Sequence, residues 1–95
     1  MITPIDRQMP IGGTPALEGR IRELFATLLQ VDPDKVTDRT RPADLERWDS
    51  MQHLILVVGF EEELGIDVDP AEAATMYDDF GTFKRIVLHK LSSRQ

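Results

Sequence analysis

Ninety-five residues with a net charge of −6, 41% hydrophobic and 29% charged, specify one small folded domain that buries roughly 60–65% of the surface its unfolded chain would expose. That length excludes a second domain, and the apolar content excludes a disordered chain, which lacks the surface to offset its ordering entropy. With no cysteine in the sequence, disulfides, thiolate metal sites and a cysteine nucleophile are excluded, so any thiol the protein uses must be imported.

Residues 1–14 hold Pro4, Pro10, Gly12 and Gly13 without periodicity and read as a flexible leader. A first helix is expected from Pro15, with Thr14 as its cap and Glu18 in the favoured acidic first turn. Leu17, Ile21, Leu24, Phe25 and Leu28 share one helical face. Asp32-Pro33-Asp34 should end that helix near Gln30. A long connection follows over 31–48, tacked to the core by Val31, Val36 and Leu45. Connections of that length in a small domain are uncommon and often functional.

A second helix should run from Met51 to Leu64, capped by Asp49 or Ser50 and stopped by Gly65. Asp69-Pro70 opens a short third helix through about Met76. A last helix from about Thr82 to Leu91 places Phe83, Ile86, Val87 and Leu91 on one side, with Lys90 complementing the dipole at its end. The expected fold is all-α: a small bundle of three longer helices and one short one, with a long loop between helices one and two. Its domain spans 15–92, leaving 93–95 as a tail.

The longest apolar run, Leu54 to Phe60, falls far short of the roughly 20 residues that span a bilayer, and no basic-then-apolar signal opens the chain. A cytoplasmic monomer with no membrane partner is expected. Residues 48–83 hold nine acids and no Lys or Arg, against eight acids and eleven bases elsewhere, giving −9 for the stretch and +3 for its flanks. Nucleic acid is thereby excluded as a partner, because its binding needs clustered Lys and Arg. Such a stretch either keeps a small protein soluble or steers basic partners towards it.

The second helix carries more apolar positions than one core face needs. Leu54, Val57, Phe60 and Leu64, with Leu56 or Gly59 alongside, form one stripe; Met51, Ile55 and Val58 form another, continued by Glu62. Either the second stripe completes a broad core face, or it is a docking strip ringed by Asp49, Glu61 and Glu62.

Asp49-Ser50 alone is a common helix cap. Its setting adds weight: it ends a long loop, sits at the positive end of a helix and adjoins the second stripe, a place that favours a phosphate ester. His53 lies within reach of the same face, but no third group orients it, so a Ser-His hydrolase is set aside. A calcium loop over Asp67, Asp69, Glu72 and Asp78 fails, since Glu72 stands where Gly is required and Pro70 interrupts it.

Trp48-Asp49-Ser50-Met51-Gln52-His53-Leu54, followed at a specific spacing by Phe60-Glu61-Glu62-Glu63-Leu64-Gly65-Ile66-Asp67-Val68, resembles the acyl and peptidyl carrier protein family over about residues 15–92. In that family an Asp-Ser-Leu or Asp-Ser-Met tripeptide bears the modified serine at the start of helix two. Arg47-Trp48 replaces the family's frequent Gly-Ala or Gly-Gly pair and is similar to the W-D-S version of free-standing carriers outside primary fatty acid synthesis. Ile55 stands where fatty acid carriers usually place an acid, which favours a more apolar docking partner.

The resemblance implies a covalent 4′-phosphopantetheine on Ser50, holding an acyl or aminoacyl group as a thioester, and no catalytic residue or metal ligand of the protein's own. It implies three kinds of partner: a phosphopantetheinyl transferase, an adenylate-forming ligase or acyltransferase that loads cargo, and a downstream acyl-accepting enzyme. Asp49 would orient the transferase or serve the helix dipole, and Met51, Ile55 and Val58 would dock it with Glu61 and Glu62. The rival from another class is a non-covalent, death-domain-like helical adaptor, which explains the acidic, apolar-centred surface but not the spacing around Ser50.

Overall fold

The computed structural model describes residues 15–93. It contains four α-helices, α1 (Pro15–Leu29), α2 (Ser50–Leu64), α3 (Pro70–Met76) and α4 (Phe80–Ser93), and no strand among the described residues. Three long helices and a short one form the expected all-α bundle. The leader expected over residues 1–14, its Thr14 cap and residues 94–95 of the tail lie outside the described residues.

Along α1, Ile21, Phe25, Ala26 and Leu29 are buried, with Leu17, Leu24 and Leu28 packed against them. The helix closes with two reversed bonds, from the Val31 N–H to the Ala26 carbonyl (2.9 Å) and from the Gln30 N–H to the Thr27 carbonyl (3.2 Å). That closure needs a left-handed residue, usually glycine. Gln30 adopts it at φ 63°, at a cost of about 1–2 kcal/mol.

The long loop is ordered by its own polar groups. Asp32 accepts from the Asp34 N–H (2.9 Å) and Asp44 from the Arg41 N–H (3.0 Å), each closing a short 3-10 turn, over Pro33–Lys35 and Pro42–Asp44. Of the expected anchors, Val36 is buried and Val31 and Leu45 pack at the edge of the core. Trp48 joins them and is only 1% exposed.

Phe25 is the centre of the core. Its ring meets Trp48, Phe80 and Phe83 edge-on at 5.0, 4.7 and 5.2 Å, so one side chain of α1 joins the end of the loop to the start of α4. Such aromatic pairs contribute about 0.5–1.5 kcal/mol each beyond their area. Lys84 adds a polar clasp at the surface, reaching Glu18 at 3.3 Å and Asp38 at 2.8 Å. No helix among the described residues is long and apolar enough to cross a membrane.

The last helix begins at Phe80, two residues before the Thr82 start that the sequence pattern suggests. Asp79 caps it by accepting the Thr82 N–H at 2.7 Å. The Phe80 and Gly81 N–H groups donate to the Thr40 and Asp38 carbonyls at 2.8 and 2.9 Å, supplying acceptors that a first helical turn lacks. Those partners lie in the loop, so no local pattern announces them. The approach also explains Gly81: a Cβ there would stand 2.9 Å from the Asp38 carbonyl oxygen. Gly81→Ala should therefore destabilise the fold by about 1–3 kcal/mol through overpacking. Urea denaturation tests this, and a midpoint equal to that of the unsubstituted protein would refute it.

Candidate functional site

The site begins where the long loop ends. Burial of Trp48 beneath α2 leaves the next two residues at the surface, and both Asp49 and Ser50 are exposed. Asp49 takes extended backbone angles and its carboxylate accepts the Gln52 N–H at 2.8 Å, so of the two candidate caps it is Asp49 that serves. Ser50 is thereby the first residue of a 15-residue helix. Its hydroxyl is committed to no hydrogen bond among the described residues and stands where helical N–H groups and a partial charge of about +0.5 favour an anion.

Beside Ser50 runs an open, mainly apolar groove of about 350 Å³ between α2 and α3, walled by Leu54, Pro70, Ala73, Ala74 and Tyr77. His53 forms its floor. It is 4% exposed, receives a hydrogen bond from the Trp48 indole at 3.0 Å and reaches the Ala73 carbonyl at 2.7 Å. Both ring nitrogens are therefore engaged, and neither is available to activate Ser50.

The outward face of α2 differs from the expected stripes at one position. His53, Leu56, Val57 and Phe60 are buried, and Leu54 is 61% exposed. Leu54 therefore leaves the core stripe and joins Met51, Ile55 and Val58, which are 68, 52 and 50% exposed. The rotation has a physical cause: the His53 bond to Trp48 directs that edge of the helix inward, where a reading by hydrophobicity alone prefers Leu54. Met51, Ile55 and Val58 do not complete a core face. They form, with Leu54, an apolar patch on the surface.

Of the nine acids in the unbalanced stretch, five have structural work. Asp49, Asp69 and Asp79 cap α2, α3 and α4. Glu61 accepts the Val68 N–H at 2.9 Å, and Glu72 both accepts the Asp69 N–H and pairs with Lys90 at 2.6 Å. Bonds from Lys90 and the Asp69 N–H hold the Glu72 carboxyl below its usual range, and bonds from Thr82 do the same for Asp79. Glu62, Glu63, Asp67 and Asp78 remain exposed, their carboxylates without a hydrogen bond or ion pair among the described residues. Glu62 continues the apolar patch.

A family model described as "Phosphopantetheine attachment site" matches residues 19–87. The chain belongs to this family. It is 31% identical over 74 residues to the acyl carrier protein of Phenylobacterium zucineum (strain HLK1), covering 78% of this chain and 92% of that one. It is 32% identical over 71 residues to the acyl carrier proteins of two Caulobacter vibrioides strains, NA1000 / CB15N and ATCC 19089 / CIP 103742 / CB 15, covering 75% of this chain and 90% of each. No solved structure matches it.

The protein is accordingly a phosphopantetheine carrier and not a catalyst, with 4′-phosphopantetheine as its covalent prosthetic group. A phosphodiester to that group needs a hydroxyl open to a modifying enzyme and surroundings that tolerate negative charge, and the start of α2 offers both. The two faces of α2 predict unequal responses to substitution. Leu54→Gln should change stability by less than about 0.5 kcal/mol, whereas Phe60→Ala should cost about 3–5 kcal/mol. Chemical denaturation of both variants checks the assignment, and equal losses would contradict it.

Proposed function

We propose that Ser50 is the hydroxyl that bears the phosphopantetheine, and that the protein delivers an acyl or aminoacyl group from it to partner enzymes. One observation carries the reading. Ser50 is the only serine within the matched residues 19–87, and it stands exposed at the start of a long helix. The competing hydroxyls in that span fit less well. Thr27 lies in the last turn of α1, the negative end of that helix, Thr40 is buried, Thr37 sits 3.5 Å from it, Thr75 donates to the Ala71 carbonyl, Thr82 accepts from Arg85, and the Tyr77 hydroxyl donates to the Trp48 carbonyl.

In this reading a phosphopantetheinyl transferase binds coenzyme A and magnesium and presents the pyrophosphate to Ser50. The Oγ forms a bond to the β-phosphorus, the hydroxyl proton leaves, and the adenosine-bearing phosphate departs. Once attached, the group supplies the thiol that the sequence lacks. The chain's own part is to hold the hydroxyl outward: Trp48 anchors the preceding loop, Asp49 fixes the first turn, and the helix end favours the phosphodiester's charge. Incubation with coenzyme A and a broad-specificity transferase should add one phosphopantetheine to the intact mass, and Ser50→Ala should abolish the addition. A Ser50→Ala protein that still gained the group would place the attachment elsewhere.

Met51, Leu54, Ile55 and Val58 form the centre of the proposed docking surface, with Asp49, Glu61 and Glu62 at its edge. Exposed apolar area of this kind gives affinity when covered, and the neighbouring acids give orientation and a faster encounter. Since Glu61 is partly held by Val68 and Asp49 by Gln52, the apolar centre carries more of the energy. Ile55→Glu should lower the transferase kcat/KM by about tenfold, a loss of about 1.4 kcal/mol. Raising ionic strength should slow loading more modestly, because exposed charges are screened over about 8–10 Å at physiological salt. An unaffected Ile55→Glu protein would move the docking surface elsewhere.

An apolar Ile55 in place of an acid and the Trp48 sequence favour an aminoacyl or specialised acyl cargo over the intermediates of primary fatty acid synthesis. An adenylate-forming ligase or an acyltransferase would load it. Mass analysis of the group borne by protein recovered from its native cell identifies the cargo.

A further inference from the structure

His53 has neighbours that permit only one protonation state. The Trp48 indole nitrogen is a donor only, and it faces Nδ1 at 3.0 Å. The Ala73 carbonyl is an acceptor only, and it faces Nε2 at 2.7 Å. The ring must accept at Nδ1 and donate at Nε2, which defines the neutral Nε2-protonated tautomer. A second proton, on Nδ1, would point at the indole N–H and break that contact.

Three segments meet at this ring: the end of the long loop through Trp48, the first turn of α2 through His53 itself, and α3 through Ala73. Tyr77 reinforces the junction, with its ring 4.8 Å from His53 and its hydroxyl donating to the Trp48 carbonyl at 3.4 Å. We propose that His53 is a positioning residue that acts as an acid-sensitive latch: its neutral ring accepts the Trp48 indole and so holds the end of the long loop against the start of α2, and protonation releases Trp48 while Nε2 stays bonded to Ala73.

The surroundings offer a proton on His53 no compensation. From the loop it meets the neutral Trp48, from the end of α3 the neutral phenol of Tyr77, and from α4 the apolar Phe83 ring at 6.1 Å. The carboxylates at the starts of the two helices that meet at the ring are occupied, Asp49 by the Gln52 N–H and Glu72 by Lys90 and the Asp69 N–H. Burial lowers the pKa of His53 below its ordinary 6.5, and the Ala73 carbonyl opposes this only in part. The unfolded or opened chain therefore binds the proton more readily than the closed one. Stability from the latch is complete above pH about 6.5 and is lost as pH falls through the closed-state value.

The latch rests on the ring contacts alone and not on Ser50 as the attachment point. Its test is accordingly made on the unmodified protein and repeated on Ser50→Ala, whose profile should be the same. Imidazole and indole NMR between pH about 8 and about 5 should show His53 titrating below 6.5. The Trp48 indole N–H should shift and lose exchange protection along the His53 curve. His53→Gln keeps an amide N–H for Ala73 and has no titratable proton, so it should abolish the acid-induced loosening. Neutralisation of the acidic surface acts on both proteins alike, which makes the difference between them the readout. A His53 that titrates at or above 6.5, or a Trp48 indole N–H that responds identically in His53→Gln, would overturn the latch. Should His53→Gln fail to fold, the wild-type titration decides the question alone.

Discussion

Burial of the Trp48 indole is the constraint from which the rest of the site follows. An apolar ring of that size is driven into the core, yet its N–H must keep a partner there. His53 provides it. Because Trp48 lies outside α2 and His53 lies one turn within it, the bond sets both where the loop ends and how the helix is rotated. Ser50, between them, is left at the surface, and Leu54, one residue beyond His53, is turned outward with it. Phe25 completes the arrangement from below by packing edge-on against the same indole.

The acidic stretch carries two kinds of residue that composition alone merges. Helix starts consume Asp49, Asp69 and Asp79, and tertiary contacts consume Glu61 and Glu72. Much of the charge asymmetry is thus a by-product of three helices beginning within one region, each with an acid at its positive end. Of the remaining exposed acids, Glu62 continues an apolar patch along α2. A surface of that composition gains most of its affinity from desolvation and uses charge to align the encounter.

Helix boundaries made by local chemistry were legible in the sequence. Asp49 and Asp69-Pro70 mark the starts of α2 and α3, and Gly65, at φ 65°, ends α2 where a left-handed residue is required. The serine was legible too, through its position between a long loop and a run of acids and glycine at fixed spacing. Features set by distant partners were not. The early start of α4 depends on carbonyls of Asp38 and Thr40. Likewise, Glu61 looks like a free surface acid until Val68 folds back onto it. His53 reads as a candidate base for Ser50, although its role depends on an indole and a carbonyl that only the fold brings together. Residue type alone suggested reactivity, whereas burial and two occupied nitrogens make it a fastener.

The loop carbonyls that begin α4 have a bearing on how the chain can be divided or extended. Long connections are ordinarily the tolerant places for inserting a tag or a second protein, because their backbone is solvated and unpaired. Here the longest connection lends its backbone to the final helix and its indole to the core. Cutting it would deprive α4 of its first turn as well as freeing the loop. Fusion partners are better placed beyond Ser93 than in the segment that length alone would recommend.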